Sequence, residues 1–326
     1  MNILYLFGNG FDLNLGMKTS YSDFYKYYQK IETDNSILQS LKRNITDKHK
    51  NWSDLELALG DYTENLKNSN ELDIVIEDLG IQLAAYLKSQ ENKTDFDNID
   101  KDKFQNDLIF PENYLLQADK NEISKYKSQW ATNDCKINII TYNYTNSIEN
   151  IFGEKHNNIE IGKTRHNKIA KLERIEHIHG YIDNRMVMGV NDLSQVKNQS
   201  FHNDIDIKET IVKPDCNQAI KHTIDDWGKR EIARANLICV FGSSIGESDK
   251  LWWELIGERL KGSNFKLIIF SRLTIEISER ISHKKQREVR NIISDFLDKT
   301  NLENDDRAFA FNKIFVGLNT EIFNIN

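Results

Sequence analysis

The sequence is poor in cysteine, and its basic residues are outnumbered by acidic ones. Cys135, Cys216 and Cys239 are far apart and odd in number, and no C-x-x-C pair occurs. Neither a disulfide framework nor a cysteine-ligated zinc site is therefore encoded. The 43 Lys and Arg residues are outnumbered by 50 Asp and Glu residues, which gives a formal net charge of -7. This acidic balance argues against general polyanion binding, so we expect no nucleic-acid partner.

Long hydrophobic runs are also missing. No apolar stretch approaches the length of a membrane-spanning helix. The first apolar run is short and has no basic leader, so it does not predict a signal peptide. With 326 residues, of which 39% are apolar and 29% charged, the chain can bury a sizeable core. We therefore expect a cytoplasmic protein that makes no contact with a membrane.

The N-terminus carries the clearest local signal that is present. Residues 3–7 are apolar and are followed by the turn Gly8-Asn9-Gly10, which predicts a buried strand ending in a sharp turn that a ligand can approach. Ser20 and Asp23, at capping-box spacing, predict the start of a helix. Strand, glycine turn and helix form the phosphate site of doubly wound folds, but the third glycine of the dinucleotide fingerprint is missing. A tight turn without a ligand therefore stays open as an alternative.

The apolar patterning separates a helical stretch from an α/β remainder. Residues 25–130 have helical spacing and no strand pattern. Strands alternating with helices in the remainder predict an α/β fold, with a mostly parallel sheet covered by helices on both faces. We therefore predict an α/β nucleotide-binding domain formed by residues 1–24 and 131–326, interrupted by a helical insertion at residues 25–130.

The individual elements follow from the same patterns. Strands are predicted at residues 136–144, 175–180, 186–190, 237–241 and 265–270. Helices are predicted at residues 225–235, 250–260 and 279–297. The polar stretch at residues 157–174 is interpreted as a hairpin, and residues 91–107 and 193–216 as loops.

Polar or glycine-rich turns follow four of the predicted strands. The carboxyl ends of parallel strands meet at one edge of a sheet, which is where open α/β sheets bind ligands. We therefore expect these turns to converge on one crevice. The candidate ligand-binding residues there are Gly8, Asn9, Gly10, Asp12, Thr141, Gly242, Ser243, Ser244 and Asp249.

Several of these polar residues have two interpretations. Asn143 offers both hydrogen-bond donors and acceptors to a ligand, or simply forms the turn. Asp12 and Asp249 can hold ribose hydroxyls, or they can cap helices. Glu56 lies at capping-box spacing from Ser53 and is most simply interpreted as a capping residue.

Two histidines carry the candidate chemistry. His179 precedes Gly180 at a predicted strand end, which leaves its ring open to a substrate, and an imidazole can take up a proton near neutral pH. A hydrogen-bonded structural histidine is the alternative. His177 and His179 face the same side of the predicted strand, which would also permit a metal pair. Asp183 and Asp192 do not complete a convincing ligand set, so no metal is expected.

Six motifs together resemble the AbiH family of bacteriophage abortive-infection proteins, over nearly the whole chain. They are Gly8-Asn9-Gly10-Phe11-Asp12, Thr19-Ser20-Tyr21-Ser22-Asp23-Phe24, Trp52-Ser53-Asp54-Leu55-Glu56, Thr141-Tyr142-Asn143-Tyr144, His177-Ile178-His179-Gly180 and Gly189-Val190-Asn191-Asp192. More distantly, the order of motifs resembles the sirtuin-like NAD-binding proteins. Thr145 replaces the aspartate of their Thr-x-Asn-x-Asp motif, which puts the ribose contacts in doubt. Their four-cysteine zinc module is missing, which favours NAD hydrolysis over protein deacetylation.

The resemblance implies a Rossmann-like, sirtuin-like fold that hydrolyses NAD at the nicotinamide-ribose bond during phage infection. On this hypothesis His179 is the general base, Asn143 holds ribose or the attacking water, and the turns at residues 8–10 and 242–244 receive the phosphates. NAD is then a substrate, and no metal is needed.

Two alternatives stay open. One is a nucleotide-binding sensor without catalysis, whose residues 25–130 engage a phage component or another subunit, such as a second copy of the chain. The other is a metal-dependent hydrolase or nuclease that uses His177 and His179.

Overall fold

The computed structural model describes residues 1–273 and 282–326. In this part of the chain, seven strands form one sheet: β1 (Asn2–Phe7), β2 (Cys135–Thr141), β3 (Ile159–Lys163), β4 (Ile169–His177), β5 (Leu237–Phe241), β6 (Lys266–Ser271) and β7 (Ile314–Leu318). The α-helices of the same residues are α1 (Gly10–Asn14), α2 (Tyr21–Tyr28), α3 (Ser36–Asp47), α4 (Leu55–Tyr62), α5 (Ser69–Glu91), α6 (Lys101–Ile109), α7 (Gln117–Lys127), α8 (Ser147–Phe152), α9 (Ile205–Ile211), α10 (Lys213–Ala219), α11 (Ile224–Arg234), α12 (Lys250–Leu260), α13 (Ser282–Asp298) and α14 (Asn304–Phe311).

The sheet has the strand order β3-β4-β2-β1-β5-β6-β7. All neighbouring strands are parallel except β3 and β4, which are antiparallel. From the central β1 the chain builds β2 to β4 on one side and then crosses to β5 on the other. The order therefore reverses at β1, which makes its carboxyl end a topological switch point. The predicted α/β class with a mostly parallel sheet is confirmed.

The continuous apolar run of β1 is explained by burial on both faces. Tyr5 and Phe7 point into one core, and Leu4 and Leu6 into another, as the alternation of side chains along a strand requires. The first core contains side chains of α1, α6, α7 and α8, and the second contains side chains of α11, α12, α13 and α14. Helices thus cover both faces of the sheet.

A third core joins helices from two distant parts of the chain. Buried side chains of α2, α3, α4 and α5 pack together with α9 and with Met188 and Val190. Tyr144, which follows β2, belongs to the same core and links it to the carboxyl edge of the sheet. The division of the chain at residues 24 and 130 stays a prediction.

Several predicted elements are confirmed. Helix α12 has the predicted bounds, and α2 begins after Ser20, whose Oγ accepts a hydrogen bond from the Asp23 N–H at 3.1 Å. The hairpin is formed by β3 and β4. Helix α13 matches the charged helix predicted at residues 279–297, of which residues 279–281 lie outside the described part.

Other predictions are wrong. Residues 91–107 are not a loop, because α6 begins at Lys101 and buries Phe104 completely. Residues 193–216 contain α9 and the start of α10. Residues 186–190 form no strand in the described structure and contribute one bridge, between Val190 and Val212. Strand β4 starts earlier than predicted and ends at His177, so His179 lies in the turn after it.

Among the described helices, none combines the length and the apolar character that crossing a bilayer requires.

Candidate functional site

The carboxyl ends of the central strands open into one cavity of about 850 Å³. It lies at the switch point, where the turns after β1, β2, β4 and β5 meet. The predicted site residues that line it are Gly8, Asn9, Gly10, Asp12, Asn143, His179, Gly242, Ser243, Ser244 and Asp249. Thr141 has a different place, because its Oγ1 accepts a hydrogen bond from the N–H of Asn143 at 3.1 Å and so fixes the turn.

The two glycine turns pack against each other, backbone to backbone. The Gly8 N–H donates to the Phe241 carbonyl at 2.9 Å, and the Gly10 N–H donates to the Gly242 carbonyl at 2.7 Å. A Cβ atom at Gly10 would lie 2.5 Å from the Gly242 Cα, and Gly242 itself has a φ of +68°. Contact between the turns therefore requires glycine here, whereas the sequence suggested that a ligand required it.

This packing limits which backbone groups remain for a ligand. The N–H groups of Gly8 and Gly10 are already used. Those of Asn9, Ser243 and Ser244 have no hydrogen-bond acceptor among the described residues. Any phosphate at the two turns would thus be bound mainly by these three groups.

His179 is held by a carboxylate. Its Nε2 lies 2.8 Å from Asp249 Oδ1 and 3.3 Å from Lys213 Nζ. Asp249 was predicted to hold ribose or to cap a helix, yet it precedes α12 without a side-chain capping hydrogen bond. It binds His179 and Lys213 instead, and it also lines the cavity.

Lys213 bridges two buried carboxylates. Its ammonium donates to Glu56 Oε2 at 2.7 Å, to Asp249 Oδ1 at 3.0 Å and to the Ser248 carbonyl at 3.0 Å. These three acceptors use all of its protons. The proton between His179 and Asp249 therefore belongs to His179 Nε2. In the neutral ring Nδ1 then carries the lone pair, and it has no hydrogen-bond partner within residues 1–273 and 282–326.

The charges in this cluster shift one another's pKa values. Burial opposes the charge of Lys213, but Asp249 and Glu56 outweigh it and raise the pKa of the ammonium to about 12. Burial also works against the Asp249 carboxylate, yet the charge of Lys213 and two hydrogen bonds lower its pKa below the usual range. For Glu56, burial prevails and raises the pKa of the carboxyl group despite the attraction of Lys213.

Asp12 is a further buried acid of the cavity, separate from the cluster around Lys213. Its side chain is 1% exposed, and its Oδ2 accepts a hydrogen bond from Thr145 Oγ1 at 2.6 Å. Its Oδ1 is buried and has no hydrogen-bond partner among the described residues. Burial raises the pKa of Asp12 to about 6, although the polar side chains of Thr145, Ser147 and Asn143 act in the opposite direction.

His177 does not share the environment of His179. Its Nδ1 lies 2.8 Å from the Asn143 carbonyl and its Nε2 lies 2.8 Å from Glu149 Oε1. Both neighbours are acceptors, so the ring is placed to carry two protons. Burial opposes that charge, but Glu149 prevails and raises the pKa of His177. His177 thus holds the turn of Asn143. Among the described residues, no group of three His, Cys, Asp or Glu side chains is arranged to hold a metal ion.

Sequence reasoning missed two members of the buried cluster. Glu56 does not cap a helix, because Asp54 caps α4 and Glu56 points to Lys213 and to the Tyr144 hydroxyl. Lys213 lies in a stretch predicted as a loop. Its neighbour Pro214 was the available signal, since proline favours the first turn of a helix.

Fold and cavity together define an α/β protein with a ligand-sized pocket at the switch point of a mostly parallel sheet. A family model described as bacteriophage abortive infection AbiH matches residues 4–271. The chain belongs to the AbiH family, and this family suggests a role in phage abortive infection. No curated protein matches the chain.

Proposed function

We propose that the protein is an abortive-infection effector that hydrolyses NAD at the bond between nicotinamide and ribose. The observation that carries this proposal is the pairing of His179 with Asp249 inside the cavity, at 2.8 Å. A histidine whose Nε2 proton is held by a carboxylate presents its other nitrogen as a base. Asn143 lines the same cavity and supplies a polar side chain to it.

The chemistry needs a base more than an acid. When the C1′–N bond breaks, its electron pair neutralises the pyridinium nitrogen, so nicotinamide leaves without taking up a proton. The ribose becomes oxocarbenium-like, and a water attacks C1′. That water loses a proton to His179 Nδ1, while Asp249 stabilises the imidazolium that forms. The products are ADP-ribose, nicotinamide and one proton.

Asn143 is suited to orient the sugar or the water. Its N–H is fixed by Thr141 and its carbonyl by His177, so the backbone of the turn is held from two sides. Its side chain is nearly buried and lines the cavity. A held amide that offers both donor and acceptor restricts the orientation of the reacting groups, which lowers the entropic part of the barrier.

The cavity suits a dinucleotide in size. Pockets of about 300–1,000 Å³ are usual for small ligands, and this one has about 850 Å³. It continues along the β6 side, where the cations Arg272 and Lys299 line it. We place the diphosphate and adenosine of NAD toward that side and the nicotinamide ribose toward His179.

Nicotinamide release by the purified protein tests the proposal. His179→Ala should lose about 10²–10⁴-fold in turnover with a thermal midpoint close to the parent, because Lys213 still pairs with Asp249. His177→Ala should act mainly by lowering the thermal midpoint. Treatment with a chelator should leave the activity intact. Full activity in His179→Ala, or no nicotinamide release by the parent, would overturn the proposal.

A nucleotide sensor without catalysis is the second candidate. The observation that favours it is Glu56, which brings α4 of the helical region into contact with the residues around His179 through Lys213. Binding of a nucleotide would then be transmitted through this contact to residues 25–130, where a phage component or another subunit would dock. NAD binding without turnover would favour this candidate.

A further inference from the structure

The buried oxygen of Asp12 lacks the partner that such an atom normally has. Most buried polar atoms are hydrogen-bonded, and leaving a charged one unpaired is costly. Asp12 Oδ1 is buried and unpartnered among the described residues, whereas Oδ2 is bound by Thr145. Asp12 also lines the cavity. A ligand group that enters the cavity is therefore the natural partner of Oδ1.

The chemistry of Asp12 decides what kind of group this is. With a pKa raised by burial to about 6, the side chain is mostly ionised at neutral pH. A carboxylate only accepts hydrogen bonds, so its partner must be a donor, such as a hydroxyl or an N–H group. A phosphate would be repelled, and the nearby Glu91 carboxylate strengthens that repulsion.

The position of Asp12 decides which part of the ligand it meets. β1 and β2 are neighbours, with Phe7 beside Thr141, so the turns that follow them are adjacent. The bond from Thr145 holds Asp12 against the turn that also carries Asn143. The cation Arg272 follows β6, which lies on the other side of β1 from β2. Asp12 is thus in the half of the cavity where the reacting sugar is placed.

We infer that Asp12 accepts a hydrogen bond from a hydroxyl of the nicotinamide ribose, and that the site therefore selects nucleotides whose ribose hydroxyls are free. This inference rests on the proposed function, because it assumes that NAD occupies the cavity with its reacting sugar beside Asn143. It makes Asp12 a specificity-determining residue, separate from the base.

Calorimetry with NAD and with two analogues that lack either the 2′- or the 3′-hydroxyl of that ribose tests the inference. For the parent, one analogue should bind about 10–100-fold more weakly than NAD, since its absent hydroxyl leaves the carboxylate unpaired. In Asp12→Ala the two affinities should agree within about twofold. Asp12→Asn keeps the shape and a neutral acceptor, so it should show an intermediate ratio. If Asp12→Ala does not fold, the ratio measured for Asp12→Asn tests the role of Asp12 instead.

Asp295→Asn is the matched control. Asp295 is an exposed carboxylate at the same cavity, and its replacement should leave the ratio between NAD and the analogue at the parent value. Equal binding of NAD and both analogues by the parent would overturn the inference, as would a parent ratio that persists in both Asp12 variants. Nicotinamide release is a separate measurement. A parent that shows the ratio but releases no nicotinamide keeps the Asp12 assignment and overturns hydrolysis.

Discussion

Removing the ammonium of Lys213 should destabilise the protein more than removing any surface cation. Lys213 and Glu56 are only 7% and 8% exposed, and their charged atoms lie 2.7 Å apart. Lys213→Met keeps the length of the side chain and leaves two buried carboxylates without their shared cation. Breaking a buried pair in this way costs about 3–5 kcal/mol.

The protonation of Glu56 in the variant determines how much unfolding free energy is lost. In the variant Glu56 keeps only the Tyr144 hydroxyl, at 3.3 Å, so its pKa, already raised by burial, must rise further. A folded state with a raised carboxyl pKa binds more protons than the unfolded state, so its stability falls as the pH rises. We therefore expect a loss of about 3 kcal/mol at neutral pH and a smaller loss at pH 5.

Urea denaturation of a small set of variants measures this loss. Lys197→Met is the matched control, because Lys197 pairs with Asp61 at 3.1 Å while both side chains are about half exposed. It should cost less than about 1 kcal/mol. Replacing Glu56 by Gln together with Lys213→Met should recover most of the loss, as expected when both partners of a buried pair become neutral. A Lys213→Met variant within about 1 kcal/mol of the control would refute the reasoning.

Three further outcomes follow from the structure. Gly10→Val should lower the thermal midpoint as well as nucleotide affinity, because its Cβ would lie 2.5 Å from the Gly242 Cα; an unchanged midpoint would mean that the two turns can separate. His177→Gln should lose the stability supplied by the raised pKa of His177. Denaturation across a range of pH measures this difference in unfolding free energy from the parent. The difference should be largest below about pH 6.5 and should vanish as the pH rises through the folded-state pKa of His177. A difference that does not change with pH would contradict the charged ring. Phe104→Ala should cost about 3–5 kcal/mol of unfolding free energy, and a loss below about 1 kcal/mol would argue against the packing of α6.

Strands buried on both faces could be predicted from the sequence, and elements with one buried face were harder to find. The apolar runs of β1, β5 and β6 carry their own signal because every side chain enters a core. Helix α6 is rich in Lys, Asp and Asn, and a few residues such as Phe104 bury its inner face. Average composition therefore suggested a loop where a helix exists.

The location of the site could be predicted from the sequence, but the contacts between its side chains could not. Parallel strands bring their carboxyl ends together, so the convergence of the turns followed from strand order alone. The pair of Glu56 and Lys213 joins residues 157 positions apart in the chain, and neither belongs to a strand end. No local pattern reports such a contact, because it depends on how the third core packs against the sheet.

Thr145 shows why comparing motifs one at a time misleads in such a sheet. Considered within its own motif, a threonine in place of aspartate removes a carboxylate from the turn after β2. In the structure the Thr145 hydroxyl donates to Asp12 at 2.6 Å, across 133 positions of sequence. Because Phe7 and Thr141 are in register, residues shortly after β1 and β2 meet side by side. A carboxylate is therefore present one hydrogen bond away from position 145. The capacity of a switch-point site to bind a sugar has to be judged over the neighbouring strand ends together, since either strand can supply the group.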